Sequence, residues 1–127
     1  MVLTSLAQGA DTLAAHAALE CAIRVRAALP MPRSAYRASS SFDDDEARNE
    51  FEKILDQPNV ELLELVIPES AGQPPDDWAV VANSKEPACA EFRHLAYAVA
   101  GLYLVRHSDV LVALWDGEQA DETKPSG

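Results

Sequence analysis

Residues 2–20, VLTSLAQGADTLAAHAALE, decide how the rest of the chain is read. Val2 to Leu6 is an apolar, partly β-branched run of the kind that forms a buried strand. Gly9 follows at the point where the chain must turn, and it tolerates backbone angles closed to other residues. Asp11 stands where a helix N-cap is expected, ahead of a run rich in alanine and leucine. The stretch therefore predicts strand, glycine turn and helix. The unpaired N–H groups at such a helix start, with the positive end of its dipole, favour a phosphate or a carboxylate.

Working outward, the helix is expected over Asp11 to Cys21 and a second strand over Ile23 to Leu29, stopped by Pro30 and Pro32. A strand–helix–strand unit of this length predicts a right-handed parallel crossover. The polar, serine-bearing segment Arg33 to Ser41 reads as a loop. Phe42 to Asp56 reads as an amphipathic helix, with Ala47, Phe51, Ile54 and Leu55 on its apolar face. The acids Asp43, Asp44, Asp45 and Glu46 at its start suit capping and the helix dipole better than a metal. Val60 to Ile67 is a third strand candidate, and Pro68 to Lys85 reads as a long acidic surface loop. Glu86 to His107 carries apolar residues around much of a helix and predicts a tightly packed one. Val110 to Trp115 then reads as a strand covered on both faces, with Asp116 and Gly117 just beyond its carboxyl end, where open α/β sheets bind ligands. Residues 118–127 form a polar tail.

Composition narrows the function classes. With 21 acidic and 10 basic residues the formal charge is -11, which repels a polyanion and makes nucleic acid an improbable partner. Small anions stay open, because local amides and arginines govern them. No uncharged apolar run approaches the length of a membrane span, and the N-terminus lacks the pattern of a secretory leader, so a soluble cytoplasmic protein is expected. Cys21 and Cys89, 68 positions apart in apolar helical contexts, read as buried reduced thiols. At 127 residues the chain is one domain, small for a complete nucleotide-binding α/β fold.

Four blocks, SLAQGADTLAAHAALE, LPMPRSAY, EFRHLAYAVAGLYLVRHS and SDVLVALWDG, occur in the order that resembles the SLOG superfamily of Rossmann-like domains. The resemblance runs over nearly the whole chain. It implies an α/β fold, a three-layer Rossmann-like parallel sheet with helices on both faces. It also implies a nucleotide or ADP-ribose-like ligand over the carboxyl ends of the strands. Carried across by position, Ser5, Gln8, Gly9, Ala10 and Asp11 face phosphate or ribose, and Asp116 with Gly117 forms the opposite lip. Pro30, Pro32, Arg33 and Tyr36 border the crevice, with Arg33 suited to a phosphate and Tyr36 to stacking on a base or packing over the sheet edge. The pattern departs from the superfamily in lacking an earlier strand with a glycine/serine-rich turn and a later Gly-Gly-Thr turn. The expected unit is therefore an incomplete domain over residues 1–117. The glycine- and glutamate-bearing motif of the LOG phosphoribohydrolases also has no counterpart, so the resemblance implies binding or sensing without catalysis. N-glycosidic hydrolysis is the alternative, and a non-binding assembly remnant is a further one. An absent central strand would leave unpaired sheet edges and favour a homo-oligomer.

The remaining polar residues point to little chemistry. His16 and Glu20, four apart on a helix, lack a third ligand, and His94 and His107 have no cysteine or carboxylate at metal spacing. No metal is expected. Ser5 with His16 has no oxyanion donor set beyond the helix start, so hydrogen bonding to phosphate or turn backbone is its expected role. Trp115 reads as rim or core, and Trp78 has no assigned role.

Overall fold

β1 spans Val2–Thr4 and ends earlier than the apolar run, because Leu6 turns into the left-handed region at φ 57 while its side chain stays fully buried. The backbone then runs through Gly9, at φ 101, into α1, Ala10–Glu20. A computed structural model describes residues 1–67 and 77–113 of the chain. After α1, Ala22 takes a left-handed φ of 56 and the N–H of Ile23 donates to the Ala18 carbonyl at 2.8 Å, closing the helix before β2, Val25–Leu29. The short helix α2, Arg33–Arg37, begins directly behind Pro32. It is followed by α3, Asp45–Leu55, and β3, Val60–Glu64. α4, Trp78–Asn83, and α5, Pro87–His107, complete the described elements.

The described sheet has three parallel strands in the order β1-β2-β3. Val25 pairs in register with Val2 on one side and Val60 on the other, and Leu29 lies opposite Glu64. α1 packs on β1 and β2, α3 on β3 and α1, and α5 on β2. This is a small α/β fold. Its core joins Val25, Ala27 and Leu29 of β2 to Leu6, Ala15, Met31, Tyr36, Phe42, Phe51 and Ile54. Tyr36, Phe42 and Phe51 meet ring against ring at centroid distances of 5.0 to 5.7 Å, the spacing at which edge-to-face aromatic contacts are favourable. α3 is capped by Asp44, whose carboxylate accepts from the Ala47 N–H at 2.8 Å, with Asp45 and Glu46 in its first turn. Arg93 of α5 donates to the Val81 and Ser84 carbonyls at 2.7 and 2.6 Å, tying α4 to α5.

Several expectations are corrected. The N-cap of α1 is Gly9, and Asp11 lies inside the first turn, because its carboxylate folds back onto the preceding loop. Arg33 to Arg37 is helical instead of looped, with Ala35 and Tyr36 turned into the core. The described end of the Pro68–Lys85 segment holds α4, where Trp78 packs against the core. Residues 110–113 form no strand, and Val110, Leu111 and Val112 are exposed. Trp115, Asp116, Gly117 and the 118–127 tail lie outside the described residues. Cys21 is exposed at the end of α1 and Cys89 is partly so, because neither sits on a core-facing position of its helix. Among the described residues no helix is long and apolar enough to cross a membrane.

Candidate functional site

The glycine turn lies at the carboxyl end of β1, and its first surprise is that it already holds a carboxylate. Asp11 Oδ2 accepts from the Ser5 hydroxyl at 2.5 Å, the Ser5 N–H at 3.2 Å and, more weakly, the Ala7 N–H at 3.4 Å. The loop thus wraps around an anion supplied by its own helix, as charge-assisted hydrogen bonding favours. Thr12 reinforces the loop by donating its hydroxyl to the Ala7 carbonyl at 2.9 Å. Among the described residues Asp11 Oδ1 accepts no hydrogen bond, and the N–H groups of Ala10, Asp11 and Thr12 donate none. Ala10 is exposed and its N–H is one of the ordinary orphan donors of a helix start.

Gln8 braces this turn to the segment that follows α2. Its carboxamide oxygen accepts from the Asp43 N–H at 2.6 Å, and its own N–H donates to the Ser41 carbonyl at 3.3 Å. Ser41 in turn shares a hydroxyl–hydroxyl bond of 2.6 Å with Tyr97 of α5. Beneath them lies Tyr36, fully buried, its hydroxyl without a partner among the described residues. Ser5, Ser41, Tyr97 and Asp11 are its polar neighbours, and none of them meets it at hydrogen-bonding geometry. Burial, with Tyr97 and Asp11 adding to it, pushes the phenol well above its ordinary range, so it stays a neutral donor. A buried hydroxyl without a partner is costly and infrequent in folded proteins.

Arg33 occupies a different place. With Pro32, Ser34, Arg37, Glu52 and Glu64 it lines an open cleft of about 430 Å³ near the carboxyl ends of β2 and β3. Its guanidinium is spent on Glu52, through Nε at 2.8 Å and through a short Nη2 contact, and on Asp56 at 3.0 Å. Its backbone N–H donates to Glu64 at 2.6 Å, and Arg37 adds a contact of 3.4 Å to Glu52. Glu52, then Asp56, hold the Arg33 guanidinium above its ordinary pKa. Three carboxylates against two arginines make this cleft a poor receptor for a phosphate.

The chain was compared with protein-family models, curated proteins and solved structures, and it matches none of them.

The structure thus brings Ser5, Gln8, Gly9, Ala10 and Asp11 into one turn and keeps Pro32 and Arg33 in the cleft toward α3 and β3. Tyr36 belongs to the floor of the turn, not its lip, and its ring has no face free for a base. Ser41 and Tyr97 were not legible as neighbours of the turn, since 56 positions separate them. His16 pairs with Glu50 of α3 at 2.8 Å, away from Glu20 and from Ser5. Among the described residues no group of histidine, cysteine and carboxylate side chains is placed to hold a metal.

Proposed function

We propose that this domain binds a nucleotide or nucleotide-derived ligand at the carboxyl ends of β1 and β2, without chemistry of its own. One observation carries the reading. A glycine turn, a helix start whose first N–H groups have no partner among the described residues, and a second loop tied to it by Gln8 converge beyond the ends of neighbouring parallel strands, the place where open α/β sheets receive ligands. The finer fold reading, a three-layer Rossmann-like sheet, draws support from β2. Val25, Ala27 and Leu29 are buried on one face and Ala28 on the other, where Arg26 lies near Tyr103 of α5. The SLOG resemblance supports both parts of the proposal. Binding without catalysis is favoured because the Ser5 hydroxyl donates to Asp11 while His16 is committed to Glu50, so no serine–histidine pair is assembled.

The test is a thermal-shift screen of the whole chain with nucleotides, NAD, ADP-ribose and ribose phosphate. A ligand at 100 times its Kd adds about 2.7 kcal/mol to stability and raises Tm visibly. Loss of the shift in Gly9→Val would place the binding at the turn, and a cooperative melt that ignores every ligand would refute the reading.

Self-association forms a second part of the proposal. Leu102 and Val105 near the end of α5, with Val110, Leu111 and Val112 beyond it, are exposed apolar side chains of the kind an oligomer covers. Light scattering at rising concentration tests it, and a constant monomer mass would refute it.

A further inference from the structure

We propose that the glycine turn receives the hydroxyl-bearing end of its ligand, a neutral vicinal diol such as the 2′ and 3′ hydroxyls of a ribonucleoside, and not a phosphate. The inference rests on the nucleotide reading above and names which end of that ligand the turn recognises.

Three observations lead to it. First, the position that a phosphate would take in the loop is already held by Asp11 Oδ2, which accepts from Ser5 and Ala7. A phosphate entering there would displace those bonds and meet a carboxylate in a chain whose formal charge is already -11. Second, the same carboxylate keeps Oδ1 open among the described residues, and a charged acceptor with a free oxygen is complementary to hydroxyl donors. Third, the Tyr36 hydroxyl is buried beneath the turn with no hydrogen-bond partner among the described residues, and Ser5, Ser41 and Asp11 are its neighbours. A ligand hydroxyl that displaces the Ser41 or Ser5 side chain slightly, or that arrives with one bridging water, satisfies this group. A phosphate satisfies it no better and adds repulsion from Asp11. Acceptor, donor and bridging hydroxyls from Asp11, Tyr36, Ser5 and Ser41 thus form a set that matches a diol.

The experiment is calorimetry of the wild-type chain with the four common ribonucleosides, their 5′-monophosphates, their 2′,3′-dideoxy forms and inorganic phosphate. The expected result is that one ribonucleoside binds, that its dideoxy form binds roughly tenfold to a hundredfold more weakly, and that inorganic phosphate does not compete. The isosteric variant Asp11→Asn, confirmed as folded by its melting profile, should lose most of the preference for the ribo form. Equal binding of ribo and dideoxy forms, or binding carried by the 5′-phosphate and displaced by inorganic phosphate, overturns the inference and leaves the nucleotide reading standing. No binding by any member of the set overturns the inference, and if NAD, ADP-ribose and ribose phosphate are equally inert the nucleotide reading falls with it.

Discussion

The Asp11 turn and the Arg33 cleft sit beyond the ends of adjacent strands, and from sequence each reads as a place for an anion. Both are filled by the chain's own carboxylates, yet with opposite results. At Arg33 the guanidinium meets Glu52 and Asp56 and the backbone N–H meets Glu64, so its charge is consumed locally. At Asp11 one oxygen is saturated while Oδ1, together with the Tyr36 hydroxyl, has no partner among the described residues. A site is marked less by the charge of its residues than by the hydrogen-bonding capacity they have left over.

Phe51→Ala gives the largest expected effect. Phe51 is almost fully buried against Tyr36 and Phe42 on the helix that also carries Glu52. Its truncation should cost about 3–5 kcal/mol in urea unfolding and loosen both regions together. Loss at one region alone would show that they do not share a wall. Gly9→Ala comes next. The added Cβ meets nothing within 4 Å, so a cost of about 1–3 kcal/mol measures the φ of 101 alone. No cost would mean that the turn relaxes to another shape.

Tyr36→Phe sharpens the comparison by removing the unpartnered hydroxyl while keeping the ring. It should raise stability by about 1 kcal/mol in the absence of ligand and weaken the diol-bearing ligand. Alkali adds a check of sign. The folded state holds this phenol above its ordinary range, so its stabilising contribution is complete below the unfolded value of about 10 and is lost as pH rises beyond it. The urea midpoint of the wild type should therefore fall more steeply than that of Tyr36→Phe once the pH rises above about 10. The smallest change belongs to Arg33→Met. With the Arg33 side chain about a third exposed, its ion pairs should contribute under about 1 kcal/mol, less in high salt, and ligand affinity should not move.

Much of the fold was legible because periodicity reports burial. The first helix, the second strand up to Leu29, the amphipathic helix with Phe51 and Ile54 inward, and the span of the long helix lie where the pattern places them, although that helix buries only Ala96 and Ala100 and leaves Leu102, expected to be packed, exposed. The failures have physical causes. Leu6 is apolar yet left-handed, so the first strand ends before its hydrophobic run does. Tyr36 follows a proline and sits among serines and arginines, which hides a one-turn helix and an aromatic core position. Asp11 reads as a cap because the residue type permits it. Its bonds to Ser5 and Ala7 depend on a loop shape that spacing alone does not encode. Ser41 and Tyr97 meet only through the tertiary fold, beyond the reach of any local rule.

β2 is the one described strand paired on both sides, from the Val25 N–H on Asn59 at one end to its Leu29 carbonyl receiving the Leu65 N–H at the other. Its amides should be the slowest to exchange with deuterium, whereas β1 is held in the described sheet from one side only. The proposed binding turn is therefore built on the less firmly paired of the two neighbouring strands. If a guest binds there, adjustment to it would fall to the three-residue strand that leads into the glycine turn and not to β2.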